Sequence, residues 1–392
     1  MYNGNPHVPA DVFVDVLDQV RAFVRQHVVP REVEIMRGDQ IPSDLRTRAA
    51  DMGLFGYALP QEWGGLGLDL VQDVELAMEL GYTSLSLRSM FGTNNGIAGQ
   101  VLVGFGTEAQ CKRWLPGLAA GGIVASFALT EQGAGSDPSG LRTTASREGD
   151  EWVLNGAKRF ITNAPDAGLF VTFARVTSTG GGSDIAVFLV PANTAGVEVG
   201  PHDSKMGQEG SRTADVTFTG VRVSAEALVG TEPNAGYRAA MTSLARGRIH
   251  LAALAVGAAQ RAHDESVRYA SSAKQGSASI GDFQLVQAML ADQRTDLTAG
   301  RALVRDAART YVSGEDIRIA PSVAKLFCTE MVGRVADLAV QVHGGTGYMR
   351  ETPVERIYRD VRLMRLYEGT SEIQRLIIGG GLVAAERRRI ST

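Results

Sequence analysis

The chain has 392 residues, a formal net charge of −4 and 44% hydrophobic residues. That length accommodates two or three packed units at roughly 100–200 residues each. The mild acidity, with no Lys/Arg block, argues against nucleic acid as the main partner, which calls for a basic face.

In chain order, Met1–Pro9 is polar and Pro/Gly-rich. No basic stretch precedes an apolar one there, so no secretory signal is expected. Asp11 is positioned to cap a helix over Val12–His27, where Val12, Val16, Val20, Phe23 and Val24 recur at helical spacing. Asp69–Leu80 and Glu108–Leu115 read the same way, separated by Gly-rich turns such as Pro60–Gly67. The composition then changes. Glu151–Leu154, Leu169–Val176, Ile185–Val190 and Asp215–Val223 are short and rich in β-branched or aromatic residues. Asn155-Gly156 and Gly180–Gly182 supply turn signals between them, the pattern of an antiparallel β domain. Long helices return with Ala235–Ser272, Gly281–Ser313, Pro321–Val342 and Ser371–Arg388, which suggest a bundle. Ser178–Ser183 and Ser271–Ser279 read as surface loops. The expected division is therefore helical over 1–122, β over 123–230 and a helical bundle over 231–392. The longest apolar runs, such as Leu251–Gly257, are too short to span a bilayer. Two cysteines, Cys111 and Cys328, make a disulfide framework unexpected and fit a reducing cytoplasm. No closely spaced His/Cys set calls for a metal.

Four segments carry candidate chemistry. Phe127–Asp137 combines hydroxyls at Thr130 and Ser136 with Gly133 and Gly135, which leave backbone N–H groups open to a ligand. A polar interdomain turn reads equally well. A dinucleotide fingerprint is excluded, because Pro138 stands where its third glycine belongs and no βαβ unit surrounds it. In Lys158–Asn163, Phe160 and Thr162 share one face of a strand and suit a planar cofactor, or simply a half-buried sheet. Gln341–Tyr348 ends a helix in a Gly-rich turn, with His343 read as structural. In Leu366–Arg375, Ser371-x-x-Gln374 reads as a capping box, and Glu368 sits just ahead of it beside Gly369. Taken singly, Glu368 reads as an acid complementing a helix dipole.

Together these segments resemble the acyl-CoA dehydrogenase family over nearly the whole chain. The resemblance rests most specifically on Leu129-Thr130-Glu131-x-Gly133-Ala134-Gly135-Ser136-Asp137 and Tyr367-Glu368-Gly369-Thr370. It implies an N-terminal all-α domain, a central antiparallel β domain and a C-terminal four-helix bundle, with FAD as cofactor and a homotetramer built as a pair of dimers. Residue by residue, it implies that Phe127, Leu129, Thr130, Gly135 and Ser136 line the flavin and the pantetheine arm. Phe160, Ile161 and Thr162 would lie against the isoalloxazine, with Phe160 where Trp is usual. Gln284, Gln341, Gly344 and Gly345 would reach the FAD of a neighbouring subunit, and Thr370 and Glu372 its diphosphate end. Arg248, Tyr367 and Gly369 fall on the substrate side, with Ser136 shared between substrate and cofactor. Some branches of the family carry the catalytic Glu at the position of Gly247; here Glu368 is the base. The family's Arg-x-x-Phe-Gly motif is missing. Ala273-Lys274-Gln275-Gly276-Ser277 stands in its place, and Lys274 cannot replace a bidentate arginine contact.

The activity so implied is α,β-dehydrogenation of an acyl-CoA thioester to the trans-2-enoyl-CoA. Glu368 would take the α-proton, flavin N5 the β-hydride, and an electron-transferring flavoprotein the electrons. An acyl-CoA oxidase on the same fold, or an acyl-CoA-binding partner subunit that holds flavin weakly, stands as the alternative.

Overall fold

The structure is a computed structural model that describes residues 8–177 and 184–391. Most of Met1–Pro9, and the Ser178–Ser183 loop with its Gly180–Gly182 turn, lie outside the described residues. The first part is helical: α1 (Ala10–Phe23), α2 (Glu32–Gly38), α3 (Ser43–Asp51), α4 (Leu70–Leu80), α5 (Leu85–Asn95), α6 (Ile97–Phe105) and α7 (Glu108–Ala119). Reciprocal capping boxes open α4 (Asp69 with Gln72) and α7 (Thr107 with Gln110). Asp11 does not cap α1. Extended Pro9 stands at the N-cap, its carbonyl accepts the Phe13 N–H at 2.9 Å, and Asp11 falls in the first turn. Nor is the helix regular to His27. It widens into a π-turn over Val24–Val28, ahead of Pro30, which has no N–H to continue it.

Helices α5 and α6 escape the sequence reading because their Ser, Asn and Gly residues weaken both propensity and periodicity. Tertiary bonds hold them. Buried Asn94 donates to the Leu118 and Ile123 carbonyls and accepts from Ala125 N–H at 2.8 Å, tying α5 to the start of the β domain.

The sheet contains β1 (Ala125–Ala128), β2 (Thr144–Glu148), β3 (Glu151–Thr162), β4 (Leu169–Thr177), β5 (Ile185–Pro191), β6 (Val197–His202) and β7 (Thr213–Ser224). Its order is β1-β4-β2-β3-β7-β6, with β5 on the far edge of β4. The pairings are antiparallel except that β1 and β2 both run parallel to β4, along successive parts of one edge. The Asn155-Gly156 signal is not a turn between strands, because β3 runs straight through it. The register shifts there, and a Cβ on Gly156 (φ +152) would lie 2.4 Å from Thr143 Oγ1, so the glycine serves a bulge and a close approach.

The last part comprises α8 (Gly236–Ser272), a hairpin of β8 (Lys274–Gln275) and β9 (Ala278–Ser279), then α9 (Gln284–Ser313), α10 (Ile319–His343), α11 (Pro353–Arg362) and α12 (Ser371–Ser391). The Ser271–Ser279 loop is thus the end of α8 plus that hairpin. Helix α8 is the buried centre. A Cβ on its Gly257 would lie 2.2 Å from the Met78 carbonyl, so α8 crosses the end of α4 in backbone contact. Buried Glu32 binds Arg261 of α8 and Arg356 of α11, locking the first and last thirds together.

Candidate active site

Two of the sequence-predicted segments meet through the backbone. Ser126 Oγ donates to the Thr162 carbonyl at 2.8 Å, and Arg159 N–H donates to the Thr130 carbonyl at 2.8 Å. Phe127–Thr130 and Phe160–Thr162 therefore lie side by side at the end of the sheet. The buried Lys158 Nζ reaches Glu131 Oε1 at 2.7 Å, while Glu131 also accepts from Arg142 N, Thr143 N and Thr143 Oγ1. Burial lowers the Lys158 ammonium to about 8 against the pull of Glu131. This pair, which sequence reasoning passed over, pins the loop that carries Gly133 and Gly135. Nothing lies within 4 Å of a Cβ built on either glycine, so the loop faces open space.

Phe160 departs from regular strand geometry. It sits at φ 58 within a second bulge of β3, is 57% exposed and has the Arg159 guanidinium 4.7 Å over its ring. Ile161 beside it is buried in the sheet core and Thr162 is half-buried. One residue further on, Asn163 donates to the Ser89 carbonyl at 2.8 Å and to Thr93 Oγ1 at 3.0 Å, so the end of β3 is anchored on α5.

Glu368 lies in the turn between α11 and α12. Glu368 (φ 54) and Gly369 (φ 91) are both left-handed, a conformation that costs a non-glycine residue about 1–3 kcal/mol. Three side chains hold the turn by its carbonyls. Arg248 Nε donates to the Glu368 carbonyl at 3.1 Å, Lys325 Nζ to the Gly369 carbonyl at 2.8 Å, and Gln374 Nε2 to both, at 3.3 and 2.9 Å. With its carbonyl so engaged, the Glu368 N–H donates to no partner among the described residues. The carboxyl Oε2 is sealed from water and also lacks a hydrogen-bond partner. Burial pushes this carboxyl above the ordinary glutamate value, and Arg88, Arg248 and Lys325 pull it partway back.

Gly247, on α8, explains where that carboxyl rests. A Cβ there would lie 2.5 Å from Glu368 Oε2 and 3.3 Å from Ile97 Cγ2. The acid therefore fills the space that a side chain at position 247 would take. Tyr367 packs beside it and bonds Gln208 of the β domain, whose amide side chain also donates to the Asp360 carbonyl at 3.0 Å. Burial raises Asp360 to about 7.

The capping box at Ser371 does not form. Thr370 Oγ1 caps α12 by accepting the Ile373 N–H at 3.4 Å, while Ser371 Oγ donates to Glu330 at 2.6 Å. Gln374 is drawn back to the Glu368–Gly369 carbonyls, which outcompete the cap for its amide. Glu372 is exposed at the same helix start. Gln284, Gln341, Gly344 and Gly345 are not brought to this site within one chain. They are exposed, Gln284 at the start of α9 and Gln341, Gly344 and Gly345 at the end of α10. Helix α10 does end at Gly344 (φ 56), and His343 is structural, stacked on Tyr269 at 4.3 Å and bonded to the Ala339 carbonyl. In place of the absent Arg-x-x-Phe-Gly motif, Lys274 stands on the exposed hairpin. Among the described residues, no group of three or more His, Cys, Asp or Glu side chains could hold a metal, and no helix is long and apolar enough to cross a membrane. Cys111 and Cys328 are buried and free.

Lys325, Gln374 and Arg88 were missed by sequence reasoning. The available signal for Lys325 was Ser322, Lys325 and Thr329 at helical spacing within apolar α10, polar residues on a face that turns out to be buried.

Sequence profiles describe what this arrangement belongs to. The N-terminal, middle and C-terminal domains of acyl-CoA dehydrogenase match residues 14–122, 126–221 and 234–383. The chain belongs to the acyl-CoA dehydrogenase family, FAD-dependent oxidoreductases that act on acyl-CoA. It is 37% identical over 350 residues to the caffeyl-CoA reductase–Etf complex subunit CarC of Acetobacterium woodii, covering 89% of this chain and 92% of that one. Its structure is similar to butyryl-CoA dehydrogenase from Megasphaera elsdenii, with a TM-score of 0.91, 31% identity and coverage of 96% and 100% of the two chains. It is also similar to an acyl-CoA dehydrogenase complexed with FAD from Bacillus anthracis, with a TM-score of 0.90, 31% identity and coverage of 97% and 68%.

Proposed function

We propose that this protein removes the α-proton and β-hydride of an acyl-CoA thioester, with Glu368 as the base and an electron-transferring flavoprotein as the final acceptor. The observation that carries this reading is the Glu368 carboxyl, whose Oε2 is sealed and unpaired and whose pKa burial raises, beside an unpaired N–H of its own backbone. An α C–H of a thioester is a very weak acid, so its removal needs both a desolvated base and a donor for the charge that moves to the carbonyl oxygen. Glu368 supplies the first through its carboxylate and the second through its N–H. Arg248, Lys325 and Gln374 keep that N–H free by holding the adjacent carbonyls in the left-handed turn. FAD, when bound, supplies the acceptor for the β-hydride. The residues suited to hold it are Phe127, Leu129, Thr130, Gly135 and Ser136 on the open loop, and Phe160, Ile161 and Thr162 on β3. Their fit is supported by the room around the loop glycines and by an aromatic ring left exposed beside them. Thr370 stands at a helix start suited to the diphosphate end, whereas the Glu372 carboxylate at the same start would repel it. The exposed Gln284, Gln341, Gly344 and Gly345 suit a contact with a second copy's FAD, and hence a dimer of dimers. Anaerobic addition of acyl-CoA thioesters to the FAD-loaded protein should bleach the flavin band. A yellow protein that no thioester bleaches would overturn the reading.

Lys325 is the positioning residue with the most testable effect. Burial lowers its ammonium to about 8, against the pull of Glu368, and its positive charge in turn favours the Glu368 anion. Activity needs that anion, so the rate should rise with pH through the Glu368 titration. In Lys325→Met the acid limb of the kcat profile should move to higher pH, and activity at neutral pH should fall about tenfold, the loss of one charge-assisted bond. A purely structural lysine would lower kcat without moving the limb.

A further inference from the structure

Arg159, Arg301 and Arg365 each bury an Nε that meets no hydrogen-bond partner. Arg301 and Arg365 are held through another nitrogen, Arg301 donating to Gln260 at 2.8 Å and Arg365 to Glu330 at 3.3 Å. The Arg159 side chain makes no hydrogen bond and no ion pair among the described residues. Its guanidinium carbon lies instead 4.7 Å over the Phe160 ring.

The sheet imposes this arrangement. Lys158 pairs with Val216 and Ile161 with Ala214, so Arg159 and Phe160 together stand opposite the single residue Asp215. Phe160 absorbs the extra residue at φ 58. Both N–H groups are tied down, Arg159 to the Thr130 carbonyl at 2.8 Å and Phe160 to Asp215 Oδ1 at 3.3 Å. The neighbouring acids do not neutralise the guanidinium. Glu131 is taken by buried Lys158 at 2.7 Å, and Asp215 is exposed and forms no ion pair with Arg159. Phe160 remains 57% exposed, beside the open loop of Gly133 and Gly135. A cation on one face of an exposed ring leaves the other face for a flat partner.

A half-buried guanidinium with a sealed, unbonded Nε opposes folding. It becomes useful where negative charge forms nearby during turnover. Hydride transfer brings such a charge: two electrons and one proton enter a neutral flavin ring, which becomes a monoanion, and no bond to Arg159 forms or breaks.

We propose that Arg159, stacked on Phe160, stabilises the negative charge of reduced FAD and so raises the reduction potential of the bound cofactor. This rests on the assignment of Phe160–Thr162 to the flavin and deepens it. Arg159 acts across the Phe160 ring and touches no substrate.

The test reduces the FAD-loaded protein with dithionite against a dye of known potential, with no thioester present. In Arg159→Met the equilibrium should move on the order of tenfold toward oxidised FAD, about 30 mV lower for a two-electron couple. Arg159→Glu should move it further in the same direction. Arg159→Lys keeps the charge and should stay near wild type. The backbone bond to Thr130 survives each change, so FAD content and the oxidised spectrum should not alter. Potentials of R159M and R159E equal to wild type would overturn the inference. Loss of FAD from R159M would overturn it too, because the side chain would then serve the oxidised cofactor. Unchanged potentials with slower reoxidation by an electron-transferring flavoprotein would place Arg159 on a partner surface instead. A yellow protein that no thioester bleaches would overturn the dehydrogenase reading alone, since dithionite replaces the substrate here. A protein that takes up no FAD would overturn both.

Discussion

Replacing Glu368 by Gln should leave a yellow protein that acyl-CoA no longer bleaches at a useful rate. Glutamine keeps the length and shape of the side chain, so it still fits against Gly247. It removes only the basic oxygen. The expected loss in the rate of bleaching is roughly 10²–10⁴-fold, the usual contribution of a positioned base. The same variant should not be less stable, and its melting temperature should stay level or rise. In the wild type, Oε2 is buried without a hydrogen-bond partner, and a carboxylate in that state opposes folding. Removing the charge relieves that cost, a trade between stability and activity common at reacting groups. Stopped-flow absorbance and a thermal melt on the same preparation read both effects. Wild-type bleaching in E368Q would remove Glu368 from the role of base.

Gly247→Ala should produce the second largest effect, with activity and local propensity pulling in opposite directions. Position 247 lies inside α8, where alanine is favoured over glycine by about 1 kcal/mol. The added methyl carbon would nevertheless lie 2.5 Å from Glu368 Oε2, well inside contact distance. Either the carboxyl or the turn must move. The turn is held by Arg248, Lys325 and Gln374, so the carboxyl should yield. A displacement of about 1 Å at a reacting group can cost on the order of 100-fold in rate. FAD content should be unchanged, because position 247 contacts the acid and not the sheet loop. Pairing the change with Glu368→Gly removes the collision. The double variant should recover the helix stabilisation that G247A alone loses to strain, and remain inactive. Activity of G247A equal to wild type would show that the carboxyl has room the structure does not give it.

Much of the frame was legible in sequence because local physics decides it. Asp69 with Gln72 writes the start of α4. The alanine- and leucine-rich periodicity of 236–272 writes α8, and the alternation after Gly122 writes a sheet. The errors share one cause. Asn155-Gly156 has the composition of a hairpin turn, yet β3 continues through it because Thr143 packs against the missing Cβ. Ser371 with Gln374 has the composition of a capping box, yet two carbonyls from the preceding turn claim the glutamine. In each case a contact distant in sequence, or a backbone group exposed by a strained turn, overrode a local preference.

The sequence by itself determined the motifs: the glycine loop after Thr130, the Phe160–Thr162 strand, and Glu368 beside Gly369. Those patterns depend on residue type and spacing, which are written along the chain. Only the tertiary structure decided that Gly247 and Glu368 occupy one space, that Lys325 and Gln374 hold the turn, and that Arg88 ends on His250. These facts depend on which helices cross and which polar atoms find partners on crossing. Burial then sets the chemistry, because the same carboxyl that would be an ordinary surface acid becomes a base once water and hydrogen bonds are taken from it.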